Sequence, residues 1–112
     1  MTGNEIVARC LTQHGVDTLF FLMGGPMVDC ENACEQAGLR MVDVRHEPAA
    51  AMMAHAYTRL RRRAAVCMAS SGPGVANLVT GVANAFVDSA PVVAIGGSSP
   101  LSQAGMGAFQ SR

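Results

Sequence analysis

The chain has 112 residues and a mass of 11.6 kDa, enough for one domain with a single core. Half of the residues are apolar and 14% are charged, so the composition excludes a disordered or collagen-like chain. Eight acidic residues balance eight basic ones, and we expect neither nucleic acid nor a membrane as a partner. Every basic residue is Arg, which excludes mechanisms that need a lysine Schiff base or a phosphate-binding lysine.

The cysteines and the start of the chain favour a cytoplasmic protein with reduced thiols. Cys30 and Cys34 are spaced i, i+4, but no His or further Cys pair completes a zinc set beside them. Cys10 and Cys67 lie within apolar patterns. The first residues lack the basic head and apolar run of a signal peptide. No stretch reaches the roughly 18 uninterrupted apolar residues that a spanning helix needs.

The first third of the sequence predicts a helix, a strand and a second helix. Thr2 and Glu5 have the spacing of a capping box, which starts a helix that Gly15 ends. The predicted buried face of this helix holds Ile6, Cys10 and Leu11. The short apolar run from Asp17 to Met23 is typical of a strand buried on both faces. After a glycine-rich break, Met27 to Gln36 predicts the second helix.

The remaining sequence continues this alternation. Met41 to Val44 and Ala64 to Ala69 predict two strands, with a helix from Ala49 to Arg62 between them. Val75 to Val87 predicts a further helix, and Val92 to Ile95 a fourth strand. Four arginines complement the dipole at the end of the third helix and are expected to be solvated: Arg59, Arg61, Arg62 and Arg63. The pattern predicts a three-layer α/β fold, with a parallel sheet between two layers of helices.

Unusual residues follow each predicted strand, and in a parallel sheet they would meet at one edge. They are Gly24-Gly25-Pro26, Arg45-His46-Glu47, Ser70 to Gly74 and Gly96 to Pro100. Such segments are either ordinary turns or a ligand site. Glu47 lies between a strand end and a helix start, where either an acid–base role or stabilisation of the helix dipole would account for it. Because no Ser or Cys has a visible base partner, a nucleophile triad is unsupported.

Five motifs in order carry a resemblance to a known family. They are Thr18 to Pro26, Arg45-His46-Glu47, Ser71 to Gly74 with Asn77, Asn84-Ala85-Phe86 with Asp88, and Gly105 to Gln110. Together they resemble the amino-terminal pyrimidine-binding domain of thiamine-diphosphate enzymes, in the superfamily of acetolactate synthase, 2-hydroxyacyl-CoA lyase and oxalyl-CoA decarboxylase. The similarity covers residues 3–110. Gly96 to Ser99 followed by Gly105 to Gln110 is particularly similar to 2-hydroxyacyl-CoA lyases.

The resemblance implies thiamine diphosphate as the cofactor and Glu47 as the catalytic residue. In this family a carboxylate at that position hydrogen-bonds N1′ of the cofactor's pyrimidine ring, which helps the cofactor's own amino group to act as a base. The implied cofactor-binding positions are Gly24, Gly25, Pro26, Glu47, Ser71, Gly72, Pro73, Gly74 and Asn77. Phe109 and Gln110 would face the substrate.

The implied activity is the cleavage or formation of a bond next to a carbonyl in a small molecule. The first expectation is a 2-hydroxyacyl-CoA lyase, which splits a 2-hydroxyacyl-CoA into formyl-CoA and an aldehyde. One alternative is an acetolactate synthase-like enzyme acting on pyruvate, a 2-keto acid. An alternative of another class is a catalytically inactive fragment or interaction unit.

The resemblance also implies that residues 1–112 are one pyrimidine-binding domain, incomplete at its C-terminal end. The family binds the diphosphate and Mg²⁺ through a Gly-Asp-Gly…Asn motif in another domain, and no Gly-Asp-Gly occurs here. We therefore expect no metal ligands in this chain and no turnover by the chain alone. A lone pyrimidine-binding domain would leave an apolar edge exposed, and the parent enzyme is expected to be a homodimer or homotetramer.

Overall fold

The structure is a computed structural model that describes residues 1–108. Its central strands are apolar and are covered on both faces by helices. The helices are α1 (Gly3–Gln13), α2 (Val28–Gln36), α3 (Glu47–Arg61), α4 (Pro73–Asn77) and α5 (Val79–Val87). The strands are β1 (Thr18–Phe21), β2 (Arg40–Asp43), β3 (Ala65–Ala69) and β4 (Val92–Gly96). Two 3₁₀ turns span Gly25–Met27 and Leu101–Gln103.

All four strands are parallel, in the order β2-β1-β3-β4, which confirms the predicted three-layer α/β fold. The register aligns Leu19 of β1 with Met41 of β2 and Val66 of β3. Every residue of β1 and β3 is buried, as expected for strands between two layers of helices. Among residues 1–108, no helix is long and apolar enough to cross a membrane.

Alternate residues of the central strands serve two separate cores. On one face, Leu19 and Phe21 pack with Ala8 of α1 and with Cys30 and Cys34 of α2. On the other face, a second cluster joins the sheet to α3 and to Leu78: Phe20, Cys67, Ala50, Ala51 and Ala54. The small alanine side chains on α3 allow the helix to approach the sheet closely. One cluster lies on each face of the sheet, so the sheet is the middle of three layers.

The predicted capping box forms, but the predicted buried face of α1 is wrong in part. The Thr2 hydroxyl accepts from the Glu5 amide at 3.2 Å, and the Glu5 carboxylate accepts from the Thr2 amide at 3.4 Å. Ile6 and Cys10 are exposed, whereas Ala8 is buried and packs against the core with Val7 and Leu11. Because Ala8 is small, α1 lies close to its neighbours. The buried face of the helix is therefore displaced by about one residue from the predicted face.

The predicted helix from Val75 to Val87 is two helices in the structure. Leu78 separates α4 from α5, and its side chain is buried in the core beneath α3. Helix α5 packs closely on α3, since a Cβ on Gly81 would lie 2.4 Å from the Cβ of Ala51 and 3.1 Å from the Pro48 carbonyl oxygen. This contact requires the glycine.

The four arginines at the end of α3 are exposed, in agreement with the expectation, and three of them also form ion pairs. Arg59 lies 3.2 Å from Asp88, and Arg61 lies 3.1 Å from Asp17. Arg63 lies 4.0 Å from Asp17, to which the Tyr57 hydroxyl also donates a hydrogen bond. The Tyr57 hydrogen bond and the two arginines hold the pKa of Asp17 below its usual value.

The four cysteines are free thiols, as expected for a reduced protein. Cys30, Cys34 and Cys67 are buried, and burial raises the pKa of the Cys67 thiol to about 11. Cys10 is exposed on the outer face of α1. The buried thiols therefore act as small apolar side chains of the two cores.

An apolar groove lies beside the edge strand β4. It has a volume of about 510 Å³ and is lined by residues of α4, α5 and β4, among them Val75, Val79 and Ala94. Phe86 and Val87 also line it, and Phe86 is 82% exposed. An exposed apolar patch of this kind agrees with the expectation for a pyrimidine-binding domain on its own.

Glu31 is a buried carboxylate that the sequence analysis does not single out. It lies on α2 and is 2% exposed, and neither of its carboxylate oxygens has a hydrogen-bond partner among the described residues. Its neighbours along the helix include the buried thiols of Cys30 and Cys34. Burial disfavours the charged form and raises the pKa of Glu31 to about 7.

Glu31→Gln is expected to remove a pH dependence of stability. Between pH 4.5 and 7 the unfolded chain has released the Glu31 proton while the folded chain retains it, so stability falls as pH rises. The advantage of the variant over the wild type should grow by about 3 kcal/mol from pH 4 to pH 8. Urea unfolding at several pH values measures it, with the exposed Glu35→Gln as control. Equal pH slopes in all three proteins would show that Glu31 reaches water.

Candidate functional site

The carboxyl ends of β1 and β3 form the topological switch point of the sheet. The chain passes from β1 to β2 on one side, and β3 lies on the other side of β1. Ligands of open α/β sheets bind in the crevice at such a point. Here the backbone of Gly24 lies against Ser70, since a Cβ on Gly24 would be 2.2 Å from the Cβ of Ser70. The segments after β1 and β3 are therefore in direct contact.

Glu47 is the first residue of α3 and extends toward the segment that follows β3. Its side chain is 13% exposed. The Asn77 side-chain amide donates a hydrogen bond to Oε2 of Glu47 at 3.2 Å, and Nδ1 of His46 lies 3.4 Å from the same oxygen. Oε1 faces Gly74, where a Cβ would lie 3.5 Å away. The carboxylate therefore lies between the start of its own helix and α4, which supplies both Gly74 and Asn77.

Two buried serine hydroxyls lie in the same region. Oγ of Ser70 and Oγ of Ser71 have no hydrogen-bond partner within residues 1–108, and Ser71 is 1% exposed. Native proteins pair nearly all of their buried polar groups, so two such hydroxyls in adjacent residues are unusual. The Cβ of Ser70 would lie 3.6 Å from a Cβ on Gly74, which places this hydroxyl-bearing segment beside Glu47.

Backbone geometry shapes the two glycine-rich segments. Gly72 has φ +59° and ψ −117°, a conformation that strains residues with a side chain, and it precedes Pro73 at the start of α4. Pro26 lies in the 3₁₀ turn after β1. A Cβ on Gly97 would lie 2.8 Å from the sulfur of Met27 and 3.5 Å from the Cβ of Pro26, so the segment after β4 packs against this turn.

The structure brings most of the predicted site residues to one edge of the sheet. Contacts join the segments of Gly24, Glu47, Ser71, Gly74 and Asn77, whereas Phe109 and Gln110 lie outside the described residues. Ser70 is a further residue at this edge that the sequence analysis does not assign to the site. A second serine beside Ser71, directly after a buried strand, is the signal that could have indicated it. Among residues 1–108, no three His, Cys, Asp or Glu side chains gather as a metal site.

Comparison with known proteins gives the family of this chain. All of residues 1–112 match the family described as "Thiamine pyrophosphate enzyme, N-terminal TPP binding domain". The chain belongs to this family. Thiamine pyrophosphate is the same compound as thiamine diphosphate, so the match confirms the resemblance carried by the five sequence motifs.

Similar proteins carry two kinds of name. The chain is 41% identical over 110 residues to "Probable acetolactate synthase large subunit" of Methanocaldococcus jannaschii, and 42% identical over 110 residues to "Acetolactate synthase isozyme 2 large subunit" of Escherichia coli. It is 40% identical over 108 residues to "2-hydroxyacyl-CoA lyase 2" of Caenorhabditis elegans. These matches cover 96–98% of the chain but 17–20% of each relative. The chain thus spans about a fifth of these relatives, and similar identities leave the substrate unresolved.

Gly24→Ala is expected to destabilise the chain, and the adjacent Gly25→Ala is not. The new Cβ at position 24 would overlap Ser70, whereas a Cβ at position 25 has no atom within 4 Å. Overpacking of this kind costs about 1–3 kcal/mol. Urea unfolding of both variants measures the difference, since each loses the same backbone freedom in the unfolded state. Equal stabilities would contradict the close approach of the two segments.

Proposed function

We propose that the natural full-length polypeptide is a thiamine-diphosphate-dependent enzyme that cleaves or forms a carbon–carbon bond next to a carbonyl. In this proposal residues 1–112 bind the pyrimidine end of the cofactor, and Glu47 is the catalytic residue. The observation that carries the proposal is the position of Glu47: a nearly buried carboxylate at the switch point, with one oxygen tethered and the other facing a glycine.

The residues at the switch point fit an aminopyrimidine ring. Such a ring presents both hydrogen-bond donors and acceptors on its edge and flat apolar faces. Glu47 supplies an acidic group, and the hydroxyls of Ser70 and Ser71 are buried polar groups without partners among the described residues. Gly74 lacks the Cβ that would extend toward Oε1. Each of these features suits a planar polar ligand approaching the carboxylate.

When bound, thiamine diphosphate supplies the reactive carbon and the electron sink of the reaction. Glu47 would hold the ring through one of its nitrogens and would share a proton with it, which would favour the ring form whose amino group is basic. The carboxylate is nearly shielded from water, and a hydrogen bond in such surroundings is stronger than one in solvent. A glutamine would keep the shape of this contact but could not exchange the proton.

Mg²⁺ and the diphosphate are proposed to bind through another domain of the polypeptide. This chain contains no lysine and no Gly-Asp-Gly motif, and the relatives are about five times longer. The exposed apolar groove beside β4 supports an assembled parent, proposed to be a homodimer or homotetramer. The buried free thiols support a cytoplasmic location.

A 2-hydroxyacyl-CoA is the first proposed substrate, which the enzyme would split into formyl-CoA and an aldehyde. The sequence from Gly96 to Ser99 together with Gly105 to Gln110 supports this choice, as does the similarity to a relative named 2-hydroxyacyl-CoA lyase 2. Pyruvate, the substrate of an acetolactate synthase-like enzyme, is the second candidate because relatives of that name are equally similar.

Glu47→Gln in the full-length polypeptide should slow hydrogen–deuterium exchange at C2 of bound thiamine diphosphate by at least about 10²-fold. Binding of the cofactor should change far less, because its diphosphate is held elsewhere. Asp43→Asn serves as control, since that carboxylate is exposed and pairs with Arg45. Exchange at the wild-type rate in Glu47→Gln would remove Glu47 from the mechanism.

Separate incubation of the full-length polypeptide with pyruvate and with a 2-hydroxyacyl-CoA should give formyl-CoA and an aldehyde from the second. Acetolactate from pyruvate would favour the synthase instead. Turnover of neither substrate by cofactor-loaded protein would support a non-catalytic interaction unit. Residues 1–112 alone should turn over neither, and activity in this chain would contradict the proposed role of a second domain.

A further inference from the structure

The two oxygens of the Glu47 carboxylate have different surroundings. Oε2 accepts a hydrogen bond from Asn77 at 3.2 Å and lies 3.4 Å from Nδ1 of His46. Oε1 has the open side of Gly74 beside it. A free carboxylate exchanges its oxygens by rotation about its last bond, so a contact with one oxygen alone makes the two inequivalent.

Asn77 is better fixed than His46 for holding this oxygen. Both residues are exposed, but the Asn77 amide makes a hydrogen bond of 3.2 Å, whereas Nδ1 of His46 lies 3.4 Å from the same oxygen on a side chain that is 67% exposed. Asn77 is the last residue of α4, and the next residue, Leu78, is buried in the core between sheet and helices. The break between α4 and α5 therefore holds the Asn77 side chain at the end of an anchored helix.

An amide donor also suits this task chemically. The Asn77 side chain has no proton to exchange near neutral pH, so it can hold Oε2 without competing for the proton that Glu47 transfers. His46, by contrast, is an acid–base group whose Nδ1 lies 3.4 Å from Oε2 of Glu47. The neighbouring Arg45 is paired with Asp43 at 2.8 Å.

We propose that Asn77 is a positioning residue: it tethers Oε2 of Glu47 and thereby presents Oε1, across the bare backbone of Gly74, to the ring of the ligand. The identity of the ligand rests on the proposed function, but the contact between Asn77 and Glu47 does not. Asn77 thus acts through Glu47, in addition to any contact of its own with the ring.

The first test needs no cofactor. The ¹³C chemical shift of the Glu47 carboxyl carbon is measured near neutral pH in the 112-residue chain and in the variants Asn77→Ala, Asn77→Asp and Asn84→Ala. Both substitutions of Asn77 should move this resonance, because each removes the amide donor from Oε2 of Glu47. Asn84 is the matched control, because its amide lies 3.4 Å from His55 rather than near Glu47. An unchanged Glu47 resonance in Asn77→Asp, the variant closest in shape, would overturn the proposal.

The second test uses the full-length polypeptide loaded with thiamine diphosphate. Asn77→Ala should lower C2 exchange about 10-fold with a change in cofactor affinity below about 3-fold, because the tether acts on the proton transfer by Glu47 and not on the diphosphate end. Unchanged exchange would overturn the positioning role. If the Glu47 resonance moves but Glu47→Gln leaves exchange unchanged, the proposed function fails while the contact stands.

Gly74→Ala tests which oxygen meets the ligand. The added Cβ would lie 3.5 Å from Oε1, an ordinary contact, so the variant should fold like the wild type. Because the methyl group occupies the approach to Oε1, cofactor affinity should fall at least about 10-fold. Wild-type affinity in Gly74→Ala would show that the ring approaches Glu47 from another side and would overturn this part of the proposal.

Discussion

Burial of β1 and β3 on both faces is the constraint on which the other elements depend. The side chains of these strands alternate between two apolar cores, so neither face can be left to water. Helices α1 and α2 cover one face, while α3 and α5 cover the other. The chain builds the two cores by crossing the sheet in opposite directions. It moves from β1 outward to the edge strand β2, and then back past β1 to β3. That reversal creates the crevice where Gly24 meets Ser70.

Two carboxylates show how the same side chain takes different roles in one small domain. Glu47, the first residue of α3, is partly buried and accepts a hydrogen bond from a neutral amide of α4. Glu31 lies on the opposite face of the sheet, without a hydrogen-bond partner in the part of the chain that the structure describes. A carboxyl in the second situation is retained in its protonated form, and burial accounts for the raised pKa of Glu31. The two sites therefore differ both in burial and in the presence of a hydrogen-bond donor.

Local sequence signals were sufficient for most of the fold. The capping box of Thr2 and Glu5 and the uninterrupted apolar run of β1 act over a few residues, so their structure follows from the sequence alone. The buried face of α1 and the break at Leu78 depend on contacts with distant elements. No pattern within a single helix contains that information.

The candidate site was predictable to the extent that motifs carried it. Strand ends and the Arg45-His46-Glu47 motif pointed to Glu47. The tether from Asn77 joins residues 30 positions apart and depends on how α4 packs. Glu31 was missed because a charged residue in a helix is ordinarily assigned to the solvent side, although it shares a helical face with Met27 and Cys34.

Ion pairs join the amino-terminal end of β1 to the end of α3. Asp17 contacts Tyr57, Arg61 and Arg63, and the ionic side chains of this group are about half exposed. At about 1 M salt the Debye length falls to roughly 3 Å, which screens such pairs. The contact between Gly24 and Ser70 in the crevice contains no charge to screen. Concentrated salt therefore weakens the ion pairs at the end of α3 and leaves this crevice contact unchanged.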